Sequence, residues 1–116
     1  MRGFRPAMVG ALLFLAAPSI AAAPLRFWNL TSTTITRLEL ASPGTDQWGA
    51  DQLAGDSDHE VDPDERLTLS GIQPGRYDVR LSDRSGRVCV VRNVEVVADK
   101  PYAFSLSDDD LEDCHH

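Results

Sequence analysis

The chain has 116 residues, with 11 lysines and arginines against 18 aspartates and glutamates, and a formal charge of -7 at neutral pH. That length accommodates one small domain and excludes the larger kinase, dehydrogenase and transferase folds. The acidic balance argues against a nucleic-acid backbone or an anionic membrane surface as the main partner, since either would need a basic patch.

Residues 1–23 read as a segment apart from the fold. Arg2 and Arg5 precede the run AMVGALLFLAAPSIAAA, a short basic region followed by an apolar stretch and then small residues, which is the layout of a cleaved secretory signal. The apolar part, Met8 to Ala17, is ten residues long before Pro18, short of the roughly 20 a helix needs to cross a bilayer. The expectation is therefore an exported protein, periplasmic or extracellular, cut among Ala21 to Ala23 and with no stable membrane insertion afterwards. Residues 24–116 would form the domain. Without Arg2 and Arg5 the balance becomes 9 basic against 18 acidic side chains.

Export gives the two cysteines a meaning. In an oxidising compartment Cys89 and Cys114 can form a disulfide that ties the C-terminal segment to a central strand. The alternative is a redox-active or nucleophilic thiol. No CxxC spacing exists, and no histidine or carboxylate is placed by sequence to activate either sulfur, which favours the structural bridge.

The remainder reads as short strands in chain order. LRFWNL and TITRLELAS carry Phe27, Ile35, Leu38 and Leu40 among β-branched threonines, with a turn near Thr31 to Thr33 and an end at Pro43-Gly44. The stretch TDQWGADQLAG suggests a short helical turn near 48–53, or a compact loop, that drops Trp48 and Leu53 onto a sheet, because Gly49 and Gly55 disfavour a long helix. RLTLSG sets Leu67 and Leu69 on one face. After Pro74-Gly75, Tyr77, Val79 and Leu81 alternate with Asp78, Arg80 and Ser82, and Asp83 to Gly86 makes a hairpin with Gly86 left-handed. The run from Val88 to Val97 cannot keep one apolar face, which predicts burial on both sides early on or a bulge near Asn93. A last strand, Tyr102 to Leu106, leads to SDDDLED, where Ser107 or Asp108 would cap a short helical turn carrying Leu111 inward. Six or seven short antiparallel strands in two layers, a small all-β sandwich, accommodate this pattern.

The ordered set Phe27, Asn29, Thr31, Ile35, Leu38, Ser42, Pro43, Trp48, Gly49, Asp51, Leu53, Pro74, Gly75, Asp78 and Arg80 resembles a group of small exported bacterial proteins, most of them uncharacterised. The resemblance spans most of residues 24–116 and implies a small exported β-domain without implying an activity. Members often carry a cysteine near the start of the strand holding Tyr77, where this chain has Arg76, so the resemblance implies no disulfide pairing here.

GDSDHEVDPDE places Asp56, Asp58, Glu60, Asp62 and Asp64, followed by Glu65, in one short loop, and calcium is the cation such oxygens would hold. An EF-hand would require glycine where Val61 stands and glutamate where Leu67 stands, so any site is irregular; a solvated loop or a basic protein partner are the other readings. His115 and His116 can bind a transition metal only if further ligands join them, and Asp108 to Asp110 suit the start of a helical turn. No Ser-His-Asp arrangement is specified, so no enzymatic activity is expected. Trp48 and Asp51 are the candidate interaction surface. Asn29-Leu30-Thr31 matches a glycosylation sequon, although a backbone-bonding turn accounts for the same side chains. The leading expectation is an exported, non-enzymatic acidic β-domain acting through its surface on another protein. The alternative is a calcium-binding module built on residues 56–65.

Overall fold

The computed structural model describes residues 24–116, so the expected signal segment, residues 1–23, lies outside the described residues. Seven strands follow one another: β1 (Arg26–Leu30), β2 (Ile35–Ala41), β3 (Arg66–Thr68), β4 (Gly75–Asp83), β5 (Val88–Val96), β6 (Phe104–Ser107) and β7 (Asp113–His115). They form a three-stranded sheet in the order β3-β1-β6 and a four-stranded sheet in the order β2-β4-β5-β7. The expected all-β sandwich is therefore the fold, with one refinement: β1 and β6 run parallel, with Phe27 opposite Phe104 and Asn29 opposite Leu106. A parallel pair requires a long crossover, and here β2 to β5 intervene between its members.

The period-two pattern places the core. Phe27 of β1, Leu67 of β3 and Phe104 and Leu106 of β6 meet Leu38, Leu40, Val79, Leu81 and Cys89 from the other sheet in one buried cluster. The rings of Phe27 and Phe104 sit 4.9 Å apart, within the range where tilted aromatic pairs attract.

The bulge anticipated near Asn93 is present. β5 takes three steps from Val91 to Val94 while β4 takes two from Val79 to Tyr77, and Asn93 adopts φ +58°. Asparagine tolerates that left-handed geometry better than most residues. The extra residue re-phases the strand: Cys89 and then Val96 both reach the core, while Val88 and Val90 stay half-buried. At the other end of β4 the hairpin closes on Gly86 (φ +90°), and the Asp83 carboxylate accepts hydrogen bonds from the Ser85 and Arg87 backbone N–H groups at 3.0 Å each.

No helix forms over 48–53. The segment runs along the outer edge of β2 and supplies what a neighbouring strand would supply. The Gly49 N–H donates to the Leu40 carbonyl at 2.9 Å, the Gln52 N–H donates to the Leu38 carbonyl at 2.7 Å, and the Asp51 carboxylate accepts the Leu38 N–H at 3.1 Å. An uncovered strand edge recruits other chains, and a covering loop removes that liability. Gly49 is needed for this approach, since a Cβ there would stand 3.2 Å from the Leu40 carbonyl oxygen. Towards the start of β2, Val61 completes the cover by exchanging both backbone hydrogen bonds with Ile35 at 2.9 Å.

The C-terminal turn forms as a single 3-10 turn over Asp108–Asp110, with the Asp110 carboxylate accepting the Ser107 N–H at 2.8 Å. Leu111 packs against the core cluster. Beyond it, β7 returns to β5, where Cys114 lies directly opposite Cys89 and is bonded to it. The bridge closes a separation of 25 residues. In the chain-entropy account this contributes about 3 kcal/mol. Cys114→Ser, measured by urea unfolding, is expected to lose about that amount; a loss below about 1 kcal/mol would show that β7 is held by its backbone pairing instead.

Candidate functional site

The acidic loop is the first candidate, and the structure distributes its carboxylates among separate partners. Asp56 accepts the Asp58 N–H at 3.2 Å, Glu60 pairs with Arg84 at 2.7 Å, and Asp62 accepts the Thr34 hydroxyl at 2.8 Å. Asp64 accepts the Trp28 indole N–H at 3.0 Å, and Glu65 accepts the Asp62 N–H at 2.7 Å. Among the described residues, no group of three or more His, Cys, Asp or Glu side chains stands close enough together to hold a metal ion. The loop thus folds around Val61, which is buried, and its charges tie it to the β1–β2 turn, to β1 and to the β4–β5 hairpin.

Trp48 and Asp51 are positioned by the same edge cover. Asp51 accepts the backbone N–H groups of Leu38 and Leu53, at 3.1 and 3.0 Å. Trp48 is half-buried with the Arg80 guanidinium 4.7 Å from its ring centroid. Arg80 also pairs with Glu39 at 2.9 Å, and Glu39, although on the outer face of its sheet, is 4% exposed beneath Arg37 and Arg80. On this face two arginines thus cover one buried carboxylate. Asn29 is likewise internal: it is wholly buried and its amide is consumed by four hydrogen bonds, so the sequon cannot present it to a glycosylating enzyme.

What sequence reasoning missed lies on the outer face of the three-stranded sheet. Alternation in β1 sends Phe27 and Asn29 inward and Arg26, Trp28 and Leu30 outward. Register sets Arg66 of β3 on one side of Trp28 and Ser105 of β6 on the other. The Arg66 guanidinium lies 4.3 Å from the Trp28 ring centroid, an attractive cation–π distance. From the chain just before β6, the Tyr102 ring comes within 5.1 Å of the indole at an angle of 58°. Leu30, at 41% exposure, is the large apolar side chain left to solvent among the described residues. The Asp64 carboxylate fixes the indole from the loop side.

Charge on this face differs from charge elsewhere. Arg37, Arg76, Arg80, Arg84, Arg87 and Arg92 each have a carboxylate partner within 3.4 Å. Among the described residues, Arg26 and Arg66 have none, and both stand on the Trp28 face. The sequence contained one signal for this arrangement. If Phe27 is inward, period-two parity turns Trp28 outward; the approach of Arg66, Tyr102 and Asp64 depends on tertiary pairing.

A second surface is a cleft of about 430 Å³ between β5 and the C-terminal turn, lined by Val90, Val91, Arg92, Asp109, Asp110, Glu112 and Asp113. Arg92 there is already paired with Asp46 and Asp78. His115 lies in β7, and both it and His116 are exposed. Among the described residues, no helix is long and apolar enough to cross a membrane. No family model, no curated protein and no solved structure matches this chain.

Proposed function

We propose that this chain is an exported, non-enzymatic β-sandwich that acts by docking another protein on the outer face of its three-stranded sheet. The observation that carries the reading is the assembly of Trp28, Tyr102, Arg66 and Leu30 on one solvent-facing surface. Tryptophan, tyrosine and arginine dominate the binding energy of protein interfaces because each offers a large, stiff contact area with a polar handle. Trp28 is held before any partner arrives, by the Asp64 carboxylate at its N–H and by the Arg66 and Tyr102 groups at its ring. Such preorganisation lowers the ordering cost of association.

Export supports the reading from the sequence side, since the disulfide between Cys89 and Cys114 suits an oxidising compartment. His59, the histidine of the acidic loop, has its Nδ1 3.1 Å from the Leu53 carbonyl, which suits a structural role.

A photo-crosslinking residue at Ser105, the register neighbour of Trp28, tests the proposal in the producing cell. One discrete cross-linked protein is expected, and Trp28→Ala should abolish it while leaving the fold intact. The same residue at Ser85, on the β4–β5 hairpin, is the control. Equal trapping from both positions, or none from Ser105, would overturn the proposal. Calcium titration provides the competing arm: saturable heat lost in Asp58→Asn with Asp62→Asn would replace this reading with an ion-binding one.

A further inference from the structure

We infer that the docking segment of the partner is an acidic peptide stretch with an apolar anchor, read by Arg26 and Arg66. The inference rests on the proposal that the Trp28 face docks a protein, and it narrows that partner by chemistry.

Two observations carry it. The first is the pairing pattern of the arginines: in a chain with twice as many carboxylates as cations outside residues 1–23, six arginines from Arg37 onward find acidic partners, and the two without one share a single face. The second is geometry. Arg26 stands opposite Thr68 while Arg66 stands opposite Trp28, so the two arginines occupy diagonal positions of one antiparallel pair. Such diagonal neighbours lie roughly 7–8 Å apart. Like charges carried on neighbouring positions repel each other, and carboxylates laid across them relieve the repulsion while gaining forked hydrogen bonds.

Beside the arginines lie the Trp28 and Tyr102 rings and the exposed Leu30, and the one carboxylate at the indole, that of Asp64, is engaged by the Trp28 N–H. A complementary segment therefore presents an aliphatic or aromatic side chain flanked by glutamates or aspartates. An anionic bilayer is the less suited occupant. It would meet the acidic excess of the whole domain, whereas a short peptide is governed by charges within about 8 Å, the screening length at physiological salt.

The test uses the disulfide-bonded protein and a short blocked peptide, Glu-Glu-Leu-Phe-Glu-Glu, beside its counterpart with glutamine in place of glutamate. Backbone amide shifts in β1 and β3 report where each binds. The glutamate peptide is expected to shift residues around Trp28 and to bind about tenfold more tightly than the glutamine peptide, the value of two partly screened ion pairs, with the gap closing at high salt. Arg26→Gln with Arg66→Gln should erase the preference, while Trp28→Ala should weaken both peptides.

Equal binding of the two peptides would overturn the inference and leave the docking proposal standing. Binding of neither peptide, or binding of phosphatidylglycerol vesicles through the same two arginines, would also overturn it. So would self-association in sedimentation that the double arginine variant abolishes, because the acidic segment would then be that of a second copy. Failure of the docking proposal itself is read separately, in the Ser105 crosslink.

Discussion

Asp78→Ala is expected to destabilise the fold by about 3 kcal/mol, the lower end of the range for breaking a buried charge pair, because the Arg92 partner is half-exposed. Asp78 is 2% exposed on β4. Its carboxylate accepts the Gly44 N–H at 2.8 Å, the Asn93 N–H at 2.9 Å and the Arg92 Nη1 at 2.9 Å. It thereby joins three separate features: the turn after β2, the bulge in β5 and an arginine of the outer face. Alanine leaves the part-buried N–H groups of Gly44 and Asn93 without their acceptor, at about 1 kcal/mol each. Urea unfolding followed by tryptophan fluorescence measures the loss. A deficit under about 1 kcal/mol would mean that water replaces the carboxylate and that the bulge stands without it.

The same carboxylate sets an acid limit. The hydrogen bond from Gly44, then those from Asn93 and Arg92, hold the Asp78 carboxyl below the usual aspartate range against the opposing effect of burial. At Asp83 burial pushes upward, but the donors from Ser85 and Arg87 outweigh it, and that carboxyl is also lowered. A lowered folded-state pKa means that the unfolded chain takes up protons first as pH falls. The stabilisation is therefore complete above the unfolded value of about 4 and is lost as pH drops through the lower folded values. Urea midpoints should stay level from neutral pH to about 5 and then fall. In Asp78→Ala the fall should be shallower, since one of the two groups is gone; an unchanged slope would remove Asp78 from the account.

Asn29→Ala is expected to cost about 4 kcal/mol, roughly one for each of four buried hydrogen bonds. The Asn29 amide donates to the Thr33 and Val61 carbonyls, both at 2.9 Å, and its oxygen accepts the Thr31 N–H at 3.0 Å and the Thr31 hydroxyl at 2.6 Å. One side chain thus stitches the β1–β2 turn to the loop segment that covers the edge of β2. Asn29→Asp, which keeps the shape, should be no better tolerated, because it sets an oxygen against two carbonyl oxygens. Equilibrium unfolding of both variants checks this; if Asn29→Asp matches the parent, the two donated hydrogen bonds are not what holds the turn.

The residues that motivated the family resemblance acquire structural explanations of this kind. Phe27, Ile35, Leu38 and Leu53 are wholly buried. Asn29 and Thr31 close a turn, Gly49 and Asp51 cover an edge, and Asp78 holds a bulge. Their pattern records how a small sandwich protects its polar backbone, which is why it was informative about fold and silent about activity. The face proposed for docking draws only on Trp28, Leu30, Tyr102 and the two arginines, none of which belongs to that pattern.

Local rules reached far along this chain. Alternation in Tyr77 to Ser82 and the turn residues at Pro43-Gly44, Pro74-Gly75 and Asp83 to Gly86 mark strands and hairpins because side-chain parity and backbone preference act within a few residues. The break in parity near Asn93 revealed the bulge for the same reason, and two cysteines left one intrachain pairing to form. The parallel β1–β6 pair, the course of 48–53 along the edge of β2, the dispersal of the acidic loop and the assembly at Trp28 lay beyond such rules. Each depends on which backbone groups remain unpaired after the sheets assemble. Trp-Gly-Ala-Asp-Gln-Leu suits a helical turn until the open groups of Leu38 and Leu40 claim its donors and acceptors, and six carboxylates resemble a cation site until five of them, Asp56, Glu60, Asp62, Asp64 and Glu65, meet separate donors. The sequence by itself determined six of the strands, their turns and the disulfide, since those follow from short-range geometry, whereas β7 was not marked by it. Only the tertiary structure decided the site, because it consists of side chains from β1, β3 and the segment before β6 that meet once the three-stranded sheet has formed.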